Sequence, residues 1–119
     1  MTNCRAFTLY SGSGGNSFFF SANGVNILID AGKSARFLSG ALCRAGESLD
    51  ATDALFITHA HSDHVSALPV AAKRVGEVHI TSPAAFEFAR GGELPGNFFI
   101  HQTEFAWEKN GVMVRSFPT

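Results

Sequence analysis

Polar and apolar residues alternate over residues 5–10, and two short apolar runs follow, at 17–21 with three consecutive Phe and at 25–29. Period-two alternation and short β-rich runs predict strands. Ala22-Asn23-Gly24 separates the second run from the third. Asn-Gly between apolar runs predicts a tight antiparallel hairpin, because both residues tolerate the positive φ of such a turn. The Phe triplet predicts a strand buried on both faces. The period then lengthens: Ala35, Leu38, Ala41, Leu42 and Ala45 recur at helical spacing, with Lys33 or Ser34 to begin a helix and Gly46 to end it. After a polar connector at 47–53 with further helix-start signals at Ser48 and Asp50, an apolar strand is predicted over 54–58.

A helix is predicted from about residue 62 through 74, with Val65, Leu68 and Ala72 inward and Lys73-Arg74 near its C-terminal end. Pro69 interrupts it, since proline has no N–H for the ladder, and marks a break or a new first turn. A strand at 78–80, a helix at 84–90 entered through Ser82-Pro83, and strands at 97–100, 105–107 and 112–117 complete the pattern, the last two joined at Lys109-Asn110-Gly111. Paired strands followed by strands alternating with helices predict an α+β fold, a mixed sheet covered on one side by helices. With no repeat or linker, 119 residues make one domain, 1–119.

Composition narrows the function classes. The formal net charge is −1 and no basic run occurs, so the footprint of a dedicated DNA-binding domain is absent from the linear sequence. The twelve Phe cluster in predicted strands, which assigns them to the core. Cys4 and Cys43 share no motif and read as buried thiols in a reducing compartment. There is no signal-peptide pattern and no apolar stretch near the ~20 residues that cross a bilayer, which predicts a cytoplasmic protein without a membrane partner.

The candidate chemistry follows the strand at 54–58. His59, His61, Asp63 and His64 fall within six residues and include three of the five histidines. Imidazoles supply nitrogen to a borderline-soft divalent ion and a carboxylate supplies charge. In an extended segment His59 and His61 point the same way and share one ion. If the chain then turns into a helix, Asp63 and His64 face elsewhere and hold a second. Ion pairs about 3.5–4 Å apart recur in hydrolases. Two weaker signals lie upstream. Residues 11–16, Ser-Gly-Ser-Gly-Gly-Asn, lead into a strand rather than a helix, which argues against a nucleotide loop. Asp30-Ala31-Gly32 ends a strand, as a plain turn would.

The run His-x-His-x-Asp-His after an apolar strand resembles the signature of the metallo-β-lactamase superfamily. The segment 9–17, with its Gly-Ser loop, is similar to the opening of the YycJ/WalJ-like branch. The resemblance implies a four-layer αββα sandwich, of which this chain supplies roughly the first half. It implies two divalent ions, zinc first with manganese or iron as alternatives. His59 and His61 would hold the first ion and Asp63 and His64 the second, with Asp63 close to the nucleophilic water and Asp30 as a support rather than a ligand. Relatives carry a further His, a bridging Asp and another His beyond the position of Phe117-Pro118, so those ligands are expected after Thr119 and the chain alone is expected to be inactive. His79 and His101 match none of these positions and read as structural or surface residues.

The function so implied is hydrolysis by metal-activated water, with a phosphodiester in DNA as substrate. Thioesters, lactones and β-lactams are the alternatives within the superfamily, and a non-catalytic metal-binding or structural fragment is the alternative outside it. An exposed sheet edge and apolar face would favour self-association.

Overall fold

The computed structural model describes residues 4–12, 15–58, 65–89, 94–102, 104 and 106–116. In chain order the elements are β1 (Cys4–Tyr10), β2 (Ser17–Ala22), β3 (Val25–Ile29), α1 (Ala35–Arg44), β4 (Ala54–Ile57), α2 (Leu68–Ala71), β5 (Glu77–Thr81), α3 (Ser82–Ala89), β6 (Phe98–His101), β7 (Ala106–Lys109) and β8 (Val112–Arg115). Six strands form one sheet in the order β1-β2-β3-β4-β5-β6, and β7-β8 form a separate hairpin. The first three strands are antiparallel and β3 to β6 are parallel. Sequence order and spatial order coincide because hairpins join the antiparallel strands, while helices or longer connections return the chain between parallel ones.

Both Asn-Gly turns adopt the predicted geometry, with φ of 51° and 75° at Asn23 and Gly24 and 49° and 82° at Asn110 and Gly111. The α1 boundaries also follow the sequence: the Ser34 side chain accepts from the Phe37 N–H, and Gly46 (φ 79°) lies just beyond the helix.

The helices cover one sheet face. Phe19, Leu28, Leu55, Ile57, Val78 and Ile80 point into a core closed by Leu38 and Leu42 of α1, Leu68 and Ala71 of α2, and Ala84 and Ala85 of α3. The opposite face carries a smaller cluster of Ala22, Val25, Ile27, Ala54 and Phe56 against Val112 of the hairpin, with Trp107 and Val114 at its margin. Asn23 Nδ2 donates to Asn110 O at 3.1 Å, and Lys109 Nζ lies 2.9 Å from Asp53 Oδ1. These contacts pin the hairpin to one end of the sheet. The rest of that face stays open along a groove of about 290 Å³ beside Phe18, Phe20 and Ile29.

Four expectations are corrected. The helix predicted to run to about residue 74 ends at Ala71, while the new first turn expected at Pro69 is present: Ser66 and Ala67 form a turn, and a four-residue helix begins at Leu68 with Pro69 in its first turn, where a missing N–H costs nothing. In β2, Phe19 is buried but Phe18 and Phe20 are only half-buried, since their face is the open one. Phe37, Phe86 and Phe99 are exposed, so the phenylalanines are not all core. Cys4 and Cys43 are free and exposed. Cys4 starts an edge strand, and Cys43 points away from the buried Leu38, Ala41 and Leu42 stripe of α1.

Candidate metal centre

The parallel strands end at a common rim. Ile57 pairs with Ile80 and Thr81 with His101, so Thr58, Thr81 and His101 finish three neighbouring strands side by side. Clefts outside the carboxyl ends of parallel strands are where such sheets hold ligands. The residues proposed to bind metal, His59, His61, Asp63 and His64, leave from this rim and lie outside the described residues. What the structure describes is the frame on both sides of them.

That frame is Asp30-Ala31. Asp30 lies just past β3 with φ 64° and is 6% exposed. Its N–H donates to Phe56 O at 2.8 Å. Its carboxylate accepts twice from one residue, from the Thr58 N–H at 2.8 Å and from the Thr58 hydroxyl at 2.7 Å. A buried carboxylate is costly unless it is hydrogen-bonded, and these donors meet that requirement. On the far side of the run, the Ala67 N–H donates to Ala31 O at 2.8 Å. Thr58 and Ala67, on either side of the segment that carries all four candidate ligands, are therefore hydrogen-bonded to two consecutive residues, Asp30 and Ala31.

The Gly-Ser loop lies against the same stretch. Gly32 N donates to Asn16 O at 3.0 Å, and the Tyr10 hydroxyl donates to Gly32 O at 2.5 Å. A Cβ on Gly15 would lie 2.6 Å from Lys33 N, so only glycine permits this approach. Burial pushes the Tyr10 hydroxyl up to about 12, which keeps it a donor.

His79 and His101 are not isolated side chains. On the sheet face opposite the helices, His79 Nε2 lies 2.8 Å from Glu77 Oε1, and His79 Nδ1 lies 3.0 Å from His101 Nε2. Trp107 Nε1 donates to the same Glu77 oxygen at 3.2 Å. The carboxylate requires His79 to carry a proton on Nε2, and between His79 Nδ1 and His101 Nε2 one nitrogen donates and the other accepts, the roles depending on the tautomers. The two imidazoles, with centroids 5.3 Å apart and an interplanar angle of 13°, meet edge to edge in one plane rather than stacked. His79 itself sits between Phe56 and Phe99 at 5.0 and 5.1 Å. His101 is held below its ordinary pKa, first by burial and then by the neighbouring His79 charge. Sequence reasoning took these histidines singly. The available signal was the alternation Glu77, His79 on one strand face, but the partner lies 22 residues on. Three of the four ring nitrogens thus serve each other and Glu77, and among the described residues no group of three or more His, Cys, Asp or Glu is placed to hold an ion.

A mixed sheet with helices on one face and a hairpin starting a layer on the other defines a half-sandwich of the αββα kind. The chain belongs to the metallo-beta-lactamase superfamily, whose family model matches residues 10–115. It is 38% identical over 68 residues to the exodeoxyribonuclease WalJ of Streptococcus pneumoniae serotype 2 (strain D39 / NCTC 7466), a match that covers 57% of this chain and 25% of that protein. It is 41% identical over 61 residues to the ribonuclease Z of Agathobacter rectalis (strain ATCC 33656 / DSM 3377 / JCM 17463 / KCTC 5835 / VPI 0990), over 51% and 19% of the two chains. The fold superposes on the Rm3 metallo-beta-lactamase with a TM-score of 0.75 at 18% identity, over 91% of this chain and 46% of that one. The matched segments thus span about a quarter or less of the length of these curated relatives.

Proposed function

We propose that the chain is part of a metal-dependent hydrolase that cleaves phosphodiesters in nucleic acid, DNA first. The observation that carries this reading is the double pinning of residues 59–64: Asp30 receives Thr58, and Ala31 receives Ala67. A loop anchored on both flanks is what a ligand set needs, because a displacement of order 0.5 Å degrades metal geometry. The donor chemistry of the run fits a divalent ion, three imidazoles and a carboxylate suiting zinc, manganese or iron. His59 and His61 would hold one ion and Asp63 and His64 a second, with Asp63 beside the attacking water. When bound, the ions lower the pKa of water towards neutrality and polarise the scissile group. Asp30 positions the loop through Thr58 and is not a ligand; partners of this kind orient the ligands themselves.

The substrate class is favoured by the partial likeness to proteins described as an exodeoxyribonuclease and a ribonuclease. A cytoplasmic setting, and self-association through the open sheet face, belong to the same reading. Metal content after purification without added metal, measured together with hydrolysis of bis(4-nitrophenyl) phosphate, a chromogenic β-lactam and a thioester, tests it. Bound divalent metal is expected of this chain, and turnover with preference for the phosphodiester is expected of a longer protein that supplies the remaining ligands. Metal without turnover in that longer protein would make the chain a binding fragment, and absence of metal would sink both versions.

A further inference from the structure

The linear sequence has no basic run, yet folding lines up cations along the outer side of α1. Lys33, Arg36 and Arg44 fall three and eight residues apart on the solvent side of a helix whose other side buries Leu38, Ala41 and Leu42. The helix, Ala-Arg-Phe-Leu-Ser-Gly-Ala-Leu-Cys-Arg, contains no Asp or Glu. Three cations elsewhere meet carboxylates: Arg5 with Glu47 at 2.7 Å, Arg74 with Asp50 at 2.9 Å, Lys109 with Asp53 at 2.9 Å. Among the described residues Arg36 and Arg44, like the separate Lys73 and Arg115, have no such partner, and of these only the first two share a helix side. A face that served only solubility would mix both signs of charge.

The patch also has shape. Ser34, Arg36, Phe37, Gly40 and Arg44 line an open pocket of about 400 Å³. Gly40 is its floor, placed between the two arginines at a position where glycine weakens a helix relative to alanine. Phe37 is 42% exposed. It meets the Tyr10 ring edge-on at 5.1 Å, and the Lys33 ammonium sits 4.5 Å from its ring centre. Lys33 is itself positioned, pressed by Gly15 and held with φ 60°. At 1.5 Å rise per residue, Arg36 and Arg44 are roughly 12 Å apart along the axis, a reach of a few nucleotides. Lys33 lies three residues beyond Asp30, so the patch starts at the rim from which residues 59–64 leave.

We infer that the outer side of α1 is a binding track for the phosphodiester backbone of a single nucleic-acid strand, with Lys33, Arg36 and Arg44 contacting phosphates and the Phe37 edge offering an aromatic surface to a base. The pairing of unpartnered cations with an exposed ring is how single strands are held without sequence preference. The track rests on the hydrolase reading only for its direction: it would lead a strand towards the proposed metal loop.

The test is fluorescence anisotropy with labelled 12-nucleotide single-stranded DNA and RNA of equal sequence, in chelator so that no cleavage intervenes, over a series of salt concentrations. The wild-type chain is compared with the double variant Arg36→Gln/Arg44→Gln, and with Lys73→Gln/Arg115→Gln, which removes two cations away from the track. The α1 variant is expected to bind at least about ten-fold more weakly and to lose about 1.4 from the slope of log affinity against log salt, about 0.7 for each phosphate contact on a single strand. The other pair should change neither. The DNA and RNA arms identify the preferred strand. Equal losses in both double variants, no loss in the first, or no binding by the wild-type chain would each overturn the track. A melting scan of each variant separates lost contacts from lost folding. Metal content and hydrolysis of bis(4-nitrophenyl) phosphate, too small to reach α1, by a longer protein that supplies the remaining ligands report separately on the hydrolase reading: absence of both with the binding result intact would remove the chemistry and leave the track.

Discussion

The two faces of the six-stranded sheet do different work. The helix-covered face is dry and apolar: Leu28, Leu55, Val78 and Ile80 have no exposure at all. The other face carries Glu77, His79 and His101 in a hydrogen-bonded row, a half-exposed Phe99, and a groove that β7-β8 only partly cover. Strands that alternate inward and outward residues deliver both environments from one stretch of chain. Burial on one side supplies the stability, and that leaves the other side and the rim free to hold polar groups that a core would not tolerate.

The sharpest way to test this division is to truncate one large apolar side chain on each side. Leu28→Ala, under the helices, should cost about 2–5 kcal/mol of unfolding free energy. Phe99→Ala, 46% exposed on the open face, should cost less than about half of that, as read by denaturant titration; equal losses would mean that the open face is as well packed as the closed one.

Next in size is the rim. Asp30→Ala removes both acceptors of Thr58 and should destabilise by about 1–3 kcal/mol for the donors left unsatisfied. Asp30→Asn keeps the shape and one acceptor, and should cost less stability while still lowering metal content. Full metal retention in Asp30→Asn would show that the brace is structural only.

A smaller effect separates the faces by pH. The folded state holds His101 below its ordinary pKa, so the unfolded chain binds that proton more readily. Stability from this group is therefore fully present above the ordinary imidazole value of about 6.5 and is lost as pH falls through it. His101→Gln should flatten the stability–pH profile below about pH 6.5 relative to wild type, whereas Leu28→Ala should shift the profile down without changing its shape. Identical slopes in His101→Gln and wild type would refute the assignment.

The smallest effect concerns the thiols. Cys4→Ser and Cys43→Ser should each change stability by no more than about 0.5 kcal/mol, and both thiols should react with a disulfide reagent in the folded protein; a protected thiol would contradict their exposure.

Much of the fold was legible along the chain because its signals are local. The Asn-Gly turns, the Ser34 cap, the Gly46 stop and the 54–57 apolar run each act over a few residues, and all appear where expected. The restart at Pro69 was legible as well, from its missing N–H, but the helix ends at Ala71 rather than near Arg74, because apolar spacing alone does not mark where a helix stops. The cysteines were misplaced for a related reason: residue type predicts average burial, but the helix phase decided Cys43 and the sheet edge decided Cys4. The metal run was visible as four donors in six residues, and Asp30 as a carboxylate at a strand end. Its partner Thr58 was not, because the contact spans 28 residues.

The sequence by itself determined the elements, the family resemblance and the donor set at His59, His61, Asp63 and His64. Only the tertiary structure decided that Asp30 and Ala31 hold both flanks of that candidate set, that His79 and His101 share a hydrogen bond, and that Arg36 and Arg44 share the solvent side of a helix without acidic residues of its own. Propensity and turn chemistry act between near neighbours. The brace and the histidine pair depend on which strands lie side by side, and the cation face depends on which helix side the core takes.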